Sequence, residues 1–325
     1  MCESRRYCVL LAAALLMAWN PLTAHAQNDT RESINKWTIG LVAGRVEGQP
    51  LRLAAELARV LDDRDNFRLL PVVSRGIFDN FTDLLYLRGI DAAIVNGDTL
   101  QHFANSPNIR NVKQRVHYVA NLFPAELHVL VRPEINSLAD LAGKPVNFNT
   151  QGTAAAYSGP IIFDRLGVAV RKTFIPHRIA MGQMKQSNKF AAVVFMTTKP
   201  VRPIAQGQWP EGFKLLPVPY TKALEDFYLP TYLTSSDYPK LISAGSKIET
   251  IAVPVVLAVY NWRPNYARHS RMLRFVDYIF ERLSKLQKPP FHPRWRDVNL
   301  AGVVPGWNRY PSVQRKLQRR LARSR

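Results

Sequence analysis

Five short polar turns carry most of the residues in this chain that can do chemistry, and each follows a strand-like apolar segment. They are Ala43 to Gln49, Ser74-Arg75-Gly76, Asn96-Gly97-Asp98, Asn149 to Thr153 and Thr197-Thr198-Lys199. In an open parallel sheet, ligands bind beyond the carboxyl ends of the strands. Where a helix starts after such a turn, its free N–H groups and the positive end of its dipole attract an anion. The residues placed to do this are Arg45, Gln49, Ser74, Arg75, Asn96, Asp98, Thr150, Gly152, Thr153, Ala154, Thr197, Thr198 and Lys199. The fourth turn, inside "FNTQGTAAAYSG" (148–159), is the most pointed case. Polar residues also cap helices, so any one turn has a plain structural reading. Five together, with Arg45, Arg75 and Lys199 among them, tilt the balance towards an anion-binding cleft.

Other chemistries leave no trace in the sequence. A Gly-x-Ser-x-Gly nucleophile elbow is missing. Gly143-Lys144 lacks the earlier glycine and the following hydroxyl of a phosphate loop, and Gly40, Gly44 and Gly48 miss the dinucleotide fingerprint. His102, His117, His128, His177, His269 and His292 are scattered, with no pair at helical metal-ligand spacing. The expectation is a chain without metal, cofactor or catalytic activity.

The elements that must position the turns alternate. Strands are expected at 36–42, 67–73, 91–95, 117–122, 127–132, 144–148, 172–175, 191–195 and 213–218. Helices are expected from Pro50 onward, over 77–89, from the fourth turn to about Leu166, and over about 265–287. Pro160 should kink or split the third of these. Ser137 and Asp140 have capping-box spacing. "TIAVPVVLAVYNW" (250–262) is short, valine-rich and flanked by charge, which fits a buried strand better than a membrane span. This alternation means an α/β fold with largely parallel sheets.

The first residues read as a targeting segment. Arg5 and Arg6 precede the apolar run Val9 to Trp19, and Ala24-His25-Ala26 offers a cleavage site. A signal peptide over 1–26 and a periplasmic mature protein are expected. Both cysteines, Cys2 and Cys8, fall inside that segment, so the mature chain has no disulfide and no thiolate chemistry. The formal charge is +20, and the stretch 309–325 holds seven basic residues and no acidic one. An exported protein rarely meets nucleic acid. An anionic membrane surface or an acidic partner is therefore the expected contact for this basic C-terminus. There, Val313, Leu317 and Leu321 would pack one helix face, with Arg315, Lys316, Arg319, Arg320 and Arg323 in solvent.

Four segments resemble a known family. "INSLADLAGKPVNFNTQGTAAA" resembles the second-lobe entry of periplasmic solute-binding proteins, more specifically the TAXI-type subunits of TRAP transporters. "IGLVAGRVEGQPLRLAAELARVL", "DLLYLRGIDAAIVNGDTLQ" and "LHVLVRPEINSLADLAGK" agree in order and spacing. The resemblance implies a type II periplasmic binding protein: two α/β lobes joined by two crossover strands, with a cleft between. The crossovers would fall near 123–130 and 250–256, giving a first lobe of 27–126 plus 254–325 and a second of 127–253. It also implies a small carboxylate or amino-acid-like ligand and a TRAP-type membrane permease as partner. A sensory binding protein that presents its ligand to a membrane receptor or kinase is the alternative. This chain departs from the family in its first loop, where Arg45, Glu47 and Gln49 replace glycine and threonine, and at Thr197-Thr198-Lys199, where the family has a glycine pair. Those changes imply a more charged pocket and a different ligand.

Overall fold

The computed structural model describes residues 30–46, 48–64 and 66–323. The residues expected to form a signal peptide, both cysteines and Glu47 lie outside them. In chain order the elements are β1 (Thr38–Gly44), α1 (Gln49–Leu61), β2 (Arg68–Val73), α2 (Asp79–Tyr86), β3 (Ile90–Asn96), α3 (Thr99–Ala104), α4 (Val112–Arg115) and β4 (Val116–Val131). They continue with β5 (Pro145–Asn147), α5 (Ala154–Arg165), β6 (Arg171–Thr173), α6 (His177–Gln186), β7 (Ala192–Thr197) and α7 (Arg202–Ala205). Then come β8 (Lys214–Leu215), β9 (Leu229–Thr234), β10 (Lys247–Tyr260), α8 (Ala267–Leu286) and α9 (Pro311–Arg323).

The strands form one ten-stranded sheet in the order β2-β1-β3-β10-β4-β7-β5-β6, with β8 on β4 and β9 on β10. Pairing is parallel within each lobe, between β1 and its neighbours β2 and β3 and between β5 and its neighbours β6 and β7. It is antiparallel through the middle, where β10 pairs β3 and β4 and where β4 pairs β7. The sheet is thus mixed and not largely parallel. The reason is that both lobe-crossing strands, β4 and β10, run through the centre in opposite directions. The result is an arrangement of two α/β lobes on two crossover strands.

β4 also joins what the sequence divides into two strands. The polar, proline-containing stretch around Pro124 looks like a break, yet a residue before proline prefers extended backbone, and nine register positions against β10 hold it in line. At the midpoint Pro124 faces Pro254. Neither can donate a backbone hydrogen bond, and the register of this pair shifts between Val255 and Val256. The ladder is weakest where the chain leaves one lobe for the other.

Local chemistry explains the rest. Leu53, Leu57 and Leu61 recur every four residues on α1 and are buried against the sheet. Asp140 and Ser137 exchange hydrogen bonds as a capping box, Ser137 N–H to Asp140 Oδ2 at 2.9 Å and Asp140 N–H to Ser137 Oγ at 3.3 Å. Pro160 sits inside α5 without splitting it. The C-terminal segment returns to the first lobe, where Trp307 Nε1–H donates to the Gly97 carbonyl at 2.8 Å. Only the start of α9 reaches the core. Val313 is buried and Leu317 packs beside it, but Leu321 is 65% exposed, against the expected apolar face. Lys316 pairs with Asp277 at 2.6 Å and Arg320 donates to the Phe280 carbonyl at 2.9 Å, so these two cations are held by α8. No helix among the described residues is long and apolar enough to cross a membrane.

The lobes touch at several points. The Phe78 N–H donates to the Gly152 carbonyl at 3.3 Å, and the Phe78 ring stacks on Tyr157 with centroids 4.4 Å apart. Asp98, from the first lobe, is buried and accepts from Ser158 Oγ at 2.7 Å and Tyr228 OH at 3.0 Å, both from the second. Burial pushes the Asp98 carboxyl pKa up. Gly76 and Gly152 meet backbone to backbone: a Cβ on Gly76 would lie 2.0 Å from the Gly152 carbonyl oxygen. Gly152 has φ +84°, a conformation that favours glycine.

Two outcomes follow from this contact. Gly76→Ala cannot close to this distance, so by solution scattering it should keep a larger radius of gyration than wild type, with a nearly unchanged melting temperature. A radius equal to that of wild type would show that the contact does not set lobe separation. For Asp98, a folded-state pKa above the unfolded one means that the folded chain binds the proton more tightly. Stability contributed by that proton is therefore lost as pH rises from roughly 4 through the folded pKa. The melting temperature of Asp98→Asn relative to wild type should increase between pH 4 and pH 7. A constant difference would contradict the burial argument.

Candidate functional site

A cavity of about 380 Å³ lies between the lobes. The first lobe supplies the end of β1, the following loop and the start of α1, through Gly44, Arg45, Gln49 and Pro50. The second supplies the loop after β5 and the start of α5, through Asn149, Thr150, Thr153, Ala154 and Ala155. The crossover strands form part of the floor with Phe123, Ala125 and Val255, and β7 adds Phe195, Met196, Thr197 and Thr198. Side chains therefore come from both lobes and from the hinge itself.

The fourth turn resolves its two readings in detail. Asn149 adopts a left-handed conformation, φ 65°, which turns the chain sharply out of β5. Thr153 is the N-cap of α5: its hydroxyl accepts from the Ala156 N–H at 3.3 Å and donates to the Thr150 carbonyl at 2.8 Å. That hydroxyl is committed to capping. The N–H groups of Ala154 and Ala155 come next in the first turn, and both residues line the cavity. The Thr153 hydroxyl therefore serves as the cap, and the backbone of the first helical turn borders the cavity.

Arg45 crosses the cavity. Its Nη1–H donates to Thr150 Oγ1 in the other lobe at 2.9 Å. A guanidinium has five N–H donors in a planar fork, so this contact leaves donors for an anion. Gln49 bonds across the lobes to Thr198 and lies 3.4 Å from His292 Nε2. Asn96 is buried at the end of β3 and lines the cavity. Of the thirteen residues singled out by sequence, Arg45, Gln49, Asn96, Thr150, Thr153, Ala154, Thr197 and Thr198 come together here.

The other five lie outside the lining, each for a visible reason. Ser74 folds back on its own turn, bonding Asn80 Oδ1 and the Gly76 backbone. Arg75 projects into solvent beside Asp79, at 3.6 Å. Asp98 is buried away from the lining, its Oδ2 accepting from Ser158 and Tyr228. Gly152 is the lobe contact described above. Lys199 turns away to Asp237 at 3.1 Å, while its backbone N–H donates to Glu126. Arg45 is consequently the only cationic side chain among the described cavity residues; of the family departures, Lys199 does not line the cavity and Glu47 lies outside the described residues.

Several lining residues escaped the sequence reading, among them Phe123, Phe195, Met196 and His177. Phe123, Phe195 and Met196 sit within strands, where an apolar residue reads as core. His177 opens α6, and its ring packs on Phe195 with centroids 3.7 Å apart. Its Nε2 is 2.9 Å from the Val194 carbonyl, an acceptor only, so Nε2 carries the proton. Burial pushes the His177 pKa down to about 4, which keeps the ring neutral around pH 7. Among the described residues no cluster of histidine, cysteine, aspartate or glutamate could hold a metal ion.

No protein-family model and no curated protein matches the sequence. Solved structures do resemble it. XAC2383 from Xanthomonas citri, bound to ATP, covers 88% of this chain and 96% of its own at 12% identity, with a TM-score of 0.50. An ancestral arginine-binding protein bound to arginine covers 75% and 92% at 17% identity, with a TM-score of 0.44. The periplasmic VFT2 domain of Bordetella pertussis BvgS covers 78% and 92% at 12% identity, with a TM-score of 0.42. At these identities the likeness is one of fold, and the fold is a two-lobed α/β domain with a cleft between the lobes.

Proposed function

We propose that this chain is a periplasmic solute-binding receptor that captures a small carboxylate-type anion between its lobes and delivers it to a TRAP-type membrane permease. The observation that carries the reading is Arg45 reaching across the cavity to Thr150, in the loop that leads into α5. A guanidinium from one lobe and helix-start N–H groups from the other together make a two-sided anion clamp. Neither half is complete alone, so an anion favours the closed form over the open one. The signal-peptide-like N-terminus and the "SLADLAGK" resemblance support export and the transporter role. The exposed arginines of α9, Arg315, Arg319 and Arg323, offer a basic face to an anionic membrane or acidic partner beside the permease.

Calorimetric titration of the mature protein with small carboxylates tests the clamp. Arg45→Ala should weaken binding roughly ten- to a hundredfold, the loss expected for a charged hydrogen bond of about 1.5–3 kcal/mol. Its melting temperature without ligand should barely change. Thr153→Ala should act differently, because the hydroxyl is a cap: about 1 kcal/mol of stability is lost, with a smaller effect on affinity. Equal affinity of Arg45→Ala and wild type would remove the clamp from the account. An absence of binding by any carboxylate would remove the proposed function.

A further inference from the structure

We propose that the ligand is a monocarboxylate with an apolar body and a hydroxyl group near its carboxylate, and that amino acids and dicarboxylates are rejected. The inference rests on the carboxylate reading above and narrows it. It starts from Asn96, which is 1% exposed and lines the cavity. Its Oδ1 has no hydrogen-bond partner within the chain. Buried polar atoms are nearly always paired, so an orphan beside a cavity marks a place where a ligand completes the network.

The orientation of that amide is fixed by its neighbours. Ser158 Oγ donates its one proton to Asp98 Oδ2 at 2.7 Å. It can then only accept from Asn96, whose Nδ2 lies 3.5 Å away. Nδ2 is thereby assigned to Ser158, and Oδ1 is left as a buried neutral acceptor without a partner in the chain. A ligand hydroxyl supplies the single donor it needs.

A ligand ammonium meets a worse environment. No carboxylate stands among the described residues lining the cavity. The described acids nearby have partners and do not line the cavity: Asp98 Oδ2 accepts from Ser158 and Tyr228, Glu126 pairs with the Lys199 N–H and Arg294, and Asp79 with Arg75. His177 offers no negative charge. One neutral amide oxygen cannot replace the hydration of a buried ammonium. A second ligand carboxylate fares no better, since Arg45 is the one cation lining the pocket among the described residues. The remaining walls, Ile77, Phe123, Phe195, Met196 and Val255, suit a hydrocarbon or aromatic group.

The test is a calorimetric series on one carbon frame, in which only the group on C2 changes: 3-phenylpropanoate (hydrogen), 3-phenyllactate (hydroxyl), phenylalanine (ammonium) and benzylmalonate (carboxylate). The set 4-methylpentanoate, 2-hydroxy-4-methylpentanoate, leucine and isobutylmalonate repeats it on an aliphatic frame. In at least one set the hydroxy acid should bind tightest, the unsubstituted acid about tenfold weaker, and the amino acid and dicarboxylate at least about a hundredfold weaker. In Asn96→Ala the hydroxy acid should fall to the affinity of the unsubstituted acid, while the latter is unchanged. That comparison is internal to one variant and does not depend on its stability. Amino acid binding equal to hydroxy acid binding overturns the inference. So does binding of glutamate or glutarate with no response to either set, an outcome that leaves the carboxylate reading standing. Silence towards every carboxylate overturns both.

Discussion

The antiparallel pairing of β4 with β10 is the constraint on which the rest of this structure depends. Each strand passes through both lobes, so the two half-sheets cannot separate without breaking the pairing. Yet the pair carries prolines at facing positions in its middle, where no backbone donor exists on either side. The hinge is therefore strong along its length and soft at one point. Phe123, beside Pro124, and Val255, beside Pro254, line the cavity. The place where the molecule can bend is also the floor of the place where it can bind, which couples lobe angle to occupancy by geometry alone.

Closure in this structure rests on small and polar contacts and on the aromatic stack of Phe78 on Tyr157. Gly76 against Gly152, Arg45 on Thr150 and the Ser158–Asp98–Tyr228 cluster join surfaces that an opened form would expose to water. None of them is a large apolar interface. Polar contacts of this kind are worth little net, because water replaces them on opening. The closed form is thus held by a modest margin, and a ligand with differential affinity of a few kcal/mol is enough to set the balance.

The strand–helix alternation and the first-loop arginine were legible in the sequence because each rests on local pattern, whereas the two crossover strands were expected from the family resemblance alone. Strand periodicity, a proline at the start of α1 and the "FNTQGTAAA" turn all signal where the chain must leave its sheet. What was not legible depended on competition between partners distant in sequence. Lys199 follows β7 as expected, yet Asp237 draws it away from the cavity. Asp98 sits in a polar turn and is taken by Ser158 and Tyr228 from the other lobe. Phe195 and His177 line the cavity through a ring contact that no spacing rule reveals. The join of two expected strands into β4 has the same origin: a partner strand overrides a local break.

The central claim is that one anion site is built from both lobes, with Arg45 on one side and the start of α5 on the other. A crystal structure of the mature protein with 3-phenyllactate, or with the tightest carboxylate found, tests it most directly. The account predicts the carboxylate between the Arg45 guanidinium and the N–H groups of Ala154 and Ala155, with Gly76 still against Gly152. A carboxylate bound away from both Arg45 and α5, or held by one lobe with the cleft open, would contradict it.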